Sequence, residues 1–175
     1  MIISLEKARE FVNFPDLWTD ERIKMKLLAI EQTIRAYTNN NFQDRGNRAL
    51  ADIAGGIFVT DALFPFAVGD TVQVSESRRN NGLYTVAEIS DGTFIVNELV
   101  SDELDVLVTK IVYPPDVVDC CVNLLEWEVR GREKIGIKSE TLSRHSVTYE
   151  DSAALFMGYP LGILNGLKLY KKARF

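Results

Sequence analysis

The chain has 175 residues, 46% of them apolar and 26% charged, with a formal net charge of −5. A length of this order fits one domain, or one domain with a small insertion, and it buries enough surface to fold without a disulfide or metal staple; the composition excludes bulk disorder. Met1 to Glu6 lack the start of a signal peptide, and no stretch approaches the roughly 18 apolar residues that span a bilayer, so the protein is expected in a cytoplasm.

In chain order, residues 4–14 predict a short helix with Ser4 as N-cap and Lys7 to Phe11 as its body, ended by Pro15. A second helix is clearer. Thr19 or Asp20 can cap it, and Ile23, Leu27, Ile30, Ile34 and Tyr37 recur at steps of four and three, giving one apolar stripe. Asn39-Asn40-Asn41 stops it, because asparagine tolerates the left-handed conformation that ends helices.

From Gly55 to Val112 the period changes. Ile57-Phe58-Val59, Thr71 to Val74, Leu83 to Val86, Thr93 to Val96 and Val106 to Val112 are short, β-branched runs. Val68-Gly69-Asp70, Asn80-Asn81-Gly82 and Ser90-Asp91-Gly92 separate them as turn signals, and Gly55-Gly56 reads as a turn before the first run. Five such strands predict a small closed or half-closed barrel. The string Val68-Gly69-Asp70-Thr71-Val72 through Asn81-Gly82-Leu83-Tyr84-Thr85-Val86 resembles the small SH3-like β modules of phage structural proteins. Residues 51–112 hold ten Asp/Glu against Arg78, Arg79 and Lys110, a net of −7, so this module should repel DNA. Arg78-Arg79 and the run Asp102, Glu103, Asp105 read as solvated hairpin connections.

Pro114-Pro115 opens a third helix over about 115–131, whose polar positions Asp116, Asp119, Asn123, Glu126 and Arg130 fall on one stripe. Its adjacent Cys120 and Cys121 cannot bridge each other without strain and have no C-x-x-C partner, so they read as small core residues in a reducing compartment. His145 is the only imidazole, and no nucleophile motif accompanies it; there is no Walker loop or dinucleotide fingerprint. A small hydrolase using Asp/Glu and His145 is the remote enzymatic reading. No cofactor or metal is called for.

The last eight residues carry four Lys/Arg and no acid, so the first 167 sum to −9. Lys168, Lys171, Lys172 and Arg174, interleaved with Leu167, Leu169, Tyr170 and Phe175, suit a frayed end, a protein-docking segment or a nucleic-acid contact. The Leu167/Leu169 alternation suits an extended strand added to a partner's sheet edge.

Gly136-Ile137-Lys138-Ser139-Glu140, Ser146-Val147-Thr148-Tyr149 and the Pro160…Leu167…Tyr170…Arg174 ending resemble the head–tail connector (head-completion or portal-adaptor) proteins of tailed bacteriophages. The resemblance covers residues 1–50 loosely and 113–175 more closely; the β module is the departure. It implies a non-enzymatic virion protein of the head–tail junction that forms a homo-oligomeric ring beneath the portal. The ring would extend the DNA channel and meet a downstream head-completion or tail protein. Double-stranded DNA would pass through without sequence-specific binding, and no membrane is involved. Carried onto this chain, Leu167, Lys168, Leu169, Tyr170, Lys171, Lys172, Arg174 and Phe175 would dock on the portal. Ile137, Lys138, Ser139, Glu140, Val147 and Tyr149 would form an arm between subunits.

The expected fold is therefore α+β: a mainly helical bundle (1–50 and 113–175) with an inserted SH3-like β-barrel module at 51–112 and an extended C-terminal arm. The alternative function is a cytoplasmic binding module whose barrel grips a peptide or nucleic acid.

Overall fold

The structure is a computed structural model that describes residues 1–60, 66–130, 139–142, 145–148 and 155–173. The chain divides into two compact units, Asn41–Val112 and the pair of segments Met1–Asn40 with Tyr113–Phe175.

The first of these is a closed antiparallel barrel of six strands: β1 (Gln43–Ala54), β2 (Ile57–Val59), β3 (Thr71–Ser75), β4 (Gly82–Ser90), β5 (Thr93–Val96) and β6 (Glu103–Ile111). Around the barrel they run β1-β2-β5-β4-β3-β6, and β6 pairs back onto β1. Alternation sends Ala51, Ile53, Phe58, Val72, Val74, Val86, Phe94, Val106 and Val108 into one apolar interior. Phe58 and Phe94 stack there with ring centroids 4.4 Å apart, and Phe66 meets Phe94 edge-on at 6.0 Å. Gly55 and Gly56 make the two-residue β1–β2 turn with φ of 59° and 83°, the left-handed pair that matches strand twist and that side chains resist.

The mainly helical bundle expected from the sequence is overturned. Closed six-stranded sheet dominates the architecture, and among the described residues the α-helices number four, α1 having 7 residues and α4 only 4. The strand absent from the sequence reading is β1, whose residues 43–50 fall in the segment expected to be helical. Its inward residues are Ala49, Ala51 and Ile53, so only one β-branched side chain marks it, and a register shift between Asp44 and Arg48 breaks its alternation. The Asn81-Gly82 signal also fails as a tight turn. Gly82 already pairs with Val74 as strand, and the left-handed residue of that connection is Glu76, with φ 59°.

In the other unit, α1 (Leu5–Phe11) and α2 (Asp20–Thr38) are capped as expected: Ser4 accepts from Lys7 N–H and Thr19 from Arg22 N–H. Asn39 ends α2 in the left-handed region at φ 48°. The stripe Ile23, Leu27, Ile30, Ile34 and Tyr37 is buried, and α2 packs on α3 (Pro115–Arg130), which buries Val117, Cys121, Leu124 and Leu125. Two buried carboxylates join this interface. Glu128 pairs with Lys26 at 3.1 Å, and Glu31 accepts a hydrogen bond from the Tyr113 hydroxyl. Burial first, then the Glu31 charge, pushes the Tyr113 phenol far above its ordinary range, so it stays a donor.

Beyond α3, β7 (Ser139–Leu142) and β8 (His145–Thr148) pair antiparallel, as do β9 (Leu155–Phe156) and β10 (Tyr159–Pro160). Then α4 (Leu161–Leu164) runs directly into a 3₁₀ helix over Asn165–Tyr170. The tail reading is thus corrected, while the described part of the arm is strand. The described part of the arm folds back on itself as a hairpin, and the tail is helical rather than an edge strand. Among the described residues no helix is long and apolar enough to cross a membrane.

Candidate docking surfaces

The tail is built onto the body from within. Leu167 is 1% exposed and sits with Leu164 in the helical core, while Leu169, two residues on, is 89% exposed. In a 3₁₀ helix neighbours two apart point in different directions, so one leucine anchors the turn and the other stands out from it. The C-terminal end of α2 supplies the ties. A helix leaves its last carbonyls without internal partners, and Lys172 N–H donates to Thr38 C=O at 2.8 Å. The Asn39 side-chain amide donates to the carbonyls of Lys172 and Ala173, and that of Asn40 to the carbonyl of Tyr170 at 3.1 Å. The Lys171 ammonium lies 3.8 Å from the centre of the Tyr37 ring, an attraction of cation to ring face. Tyr170 donates its hydroxyl to Asp116 at 3.0 Å, and that hydrogen bond holds the phenol above its ordinary value.

The expected docking residues therefore separate. Leu167 is core; Tyr170, Lys171 and Lys172 are engaged with the body through hydroxyl, ammonium and backbone. Lys168 and Leu169 are presented outward. Arg174 and Phe175 lie outside the described residues. Of the arm residues, Ser139, Glu140 and Val147 lie in the β7–β8 hairpin, where Glu140 is opposite Val147. Ile137, Lys138 and Tyr149 lie outside the described residues. His145 pairs with Leu142 in the same hairpin.

A second organised surface escapes the sequence reading. Glu103 reads there as part of a solvated acidic run, yet its carboxylate organises the β3–β4 loop. It accepts from Ser77 Oγ at 2.6 Å, from the backbone N–H of Arg78 and Arg79, and from the Asn80 amide at 2.9 Å. These donors, Ser77 foremost, hold the Glu103 carboxyl below its ordinary value. Asn80 locks the loop to Ser101 through both its amide and its carbonyl. The loop is a fixed scaffold on which the exposed Arg78 and Arg79 project. A Ser three residues before an Asn-Asn pair is the only sequence signal for it, and Glu103 lies too far along the chain to be read with it.

No family model and no curated protein matches this chain.

Cys120 and Cys121 are free and buried, and burial pushes both thiols up to about 12, so neither is a nucleophile at neutral pH. Among the described residues no group of three His, Cys, Asp or Glu side chains could hold a metal ion. Charge divides between the units. Asn41–Val112 carries eleven Asp/Glu against five Lys/Arg, a net of −6, and the remainder carries fourteen against fifteen, a net of +1.

Proposed function

We propose that this chain is a ring-forming head–tail connector subunit of a tailed phage, seated beneath the portal protein and continuing the DNA channel toward a head-completion or tail protein. The role is structural, without catalysis, in the virion. One observation carries the proposal: an exposed leucine, flanked by lysines, stands on a turn that the rest of the unit holds in place. Exposed large apolar residues are ordinary when scattered, but a pre-organised one on a turn fixed by several independent contacts loses little freedom on docking. Its neighbours Lys168 and Lys172, whose side chains are exposed, favour an acidic partner surface by steering and register.

The acidic barrel suits a protein that DNA passes without adhering, since phosphate binding draws on clustered cations and this unit has a net charge of −6. The test is docking itself. Leu169→Asp leaves the fold intact and abolishes association with DNA-filled, connector-free heads. Binding equal to that of the unaltered protein overturns the assignment of the tail to the portal.

A further inference from the structure

Three aliphatic side chains meet on the outer face of the barrel. Phe58 and Phe94 point inward, so alternation along β2 and β5 sends Ile57, Val59 and Ile95 outward, where they are 39%, 44% and 38% exposed. Ile57 is directly opposite Ile95 in the ladder, which places their side chains in contact range. Carboxylates border the strip on both sides: Asp52 of β1 is the cross-strand partner of Val59, and Glu88 of β4 that of Ile95. Strands β2, β4 and β5 contain no Lys or Arg.

Two such strips facing each other would bring Asp52 and Glu88 against the same carboxylates of the other copy, a like-charge contact that disfavours the pairing. The complement is an exposed apolar side chain with cations around it. Leu169, with Lys168 before it and the Lys172 side chain after it, has that chemistry, and its turn is already ordered.

We infer that the Leu169 turn of one copy docks on the Ile57–Val59–Ile95 strip of a second copy, its lysines meeting Asp52 and Glu88. The two surfaces differ, so the contact is heterologous and further copies can add head to tail. A single leucine on a three-residue strip falls well short of the ~1,000 Å² of a stable interface, so the pairing is weak in solution and salt-sensitive. It rests on the connector reading in one respect only: the portal and the second copy compete for Leu169, so this pairing is one of copies not yet on the portal, and the ring beneath the portal uses other subunit contacts. The pairwise contact stands on surface chemistry alone.

Sedimentation velocity of the full chain over a concentration series tests it, using two variants, Leu169→Asp and the double change Asp52→Asn with Glu88→Lys, the Asn keeping the acceptor that Asp52 offers to the Asp105 N–H. The unaltered protein self-associates with a constant that weakens as salt is raised. Each variant alone weakens association by about tenfold or more. An equimolar mixture of the two regains one pairwise contact, because the doubly changed variant keeps its turn and the Leu169→Asp variant keeps its strip. The mixture therefore contains dimers but no longer species. An unaltered protein that stays monomeric throughout, a Leu169→Asp variant that associates normally, or a mixture that stays monomeric overturns the inference. Binding of the unaltered protein to portal-bearing heads is read separately. Self-association without portal binding would sink the connector reading and leave this contact standing.

Discussion

Lys172 donates its backbone N–H to the carbonyl of Thr38 across 2.8 Å, joining residues 134 positions apart at the C-terminal end of α2. The bond satisfies an acceptor that the helix itself leaves open, and it fixes which tail side chains face inward. Leu167 is drawn into the core and Leu169 is left outside.

That division predicts opposite responses to the same truncation. Leu167→Ala removes a fully buried side chain and should cost about 2–5 kcal/mol, as the surrounding core closes only partly over the cavity. Leu169→Ala should change stability by less than about 0.5 kcal/mol. Urea unfolding followed by circular dichroism separates them, and equal losses would contradict the burial difference.

The Glu103 carboxylate should make the β3–β4 loop acid-sensitive. Its folded-state value lies below the ordinary 4.5. The contribution is complete above the unfolded value and is lost as pH falls through the lower folded one. Glu103→Gln should lower the melting temperature at neutral pH and flatten its dependence on pH on the acid side. Amide exchange at Arg78 and Arg79, whose N–H groups donate to this carboxylate, should accelerate in the variant.

How much is legible in the chain depends on how local the signal is. The stripe from Ile23 to Tyr37, the Ser4 and Thr19 caps and the Asn39 stop are each settled within a few residues, and the structure has them at those positions. β1 is not legible, since its polar, alanine-bearing segment becomes strand only through pairing with β6, about sixty residues away. The Leu167/Leu169 alternation has the period of a strand, yet burial of Leu164 and Leu167 imposes a helix that the pattern alone could not choose. Glu103 and the Ser77–Asn81 loop show the same dependence on distant partners.

The thiols offer a check on packing. With both held near 12, Cys120 and Cys121 should resist disulfide reagents at about pH 8 in the native protein and react once it is unfolded. Rapid native reaction of either would place it at the surface.

The barrel's ends lie side by side, with Val112 N–H donating to Phe42 C=O at 3.0 Å. Replacing residues 41–112 by a short Gly/Ser linker should therefore leave a folded helical remainder with its own core. Loss of all helical circular dichroism would show that the two units depend on one another to fold.

Docking of the Leu169 turn onto a portal is the central claim, and co-sedimentation with DNA-filled, connector-free heads tests it most directly. The unaltered protein should pellet with the heads. Leu169→Asp, folded by circular dichroism, should remain in the supernatant, while Lys168→Ala should pellet less as salt is raised. Leu169→Asp pelleting as fully as the unaltered protein, or no pelleting of either, would contradict it.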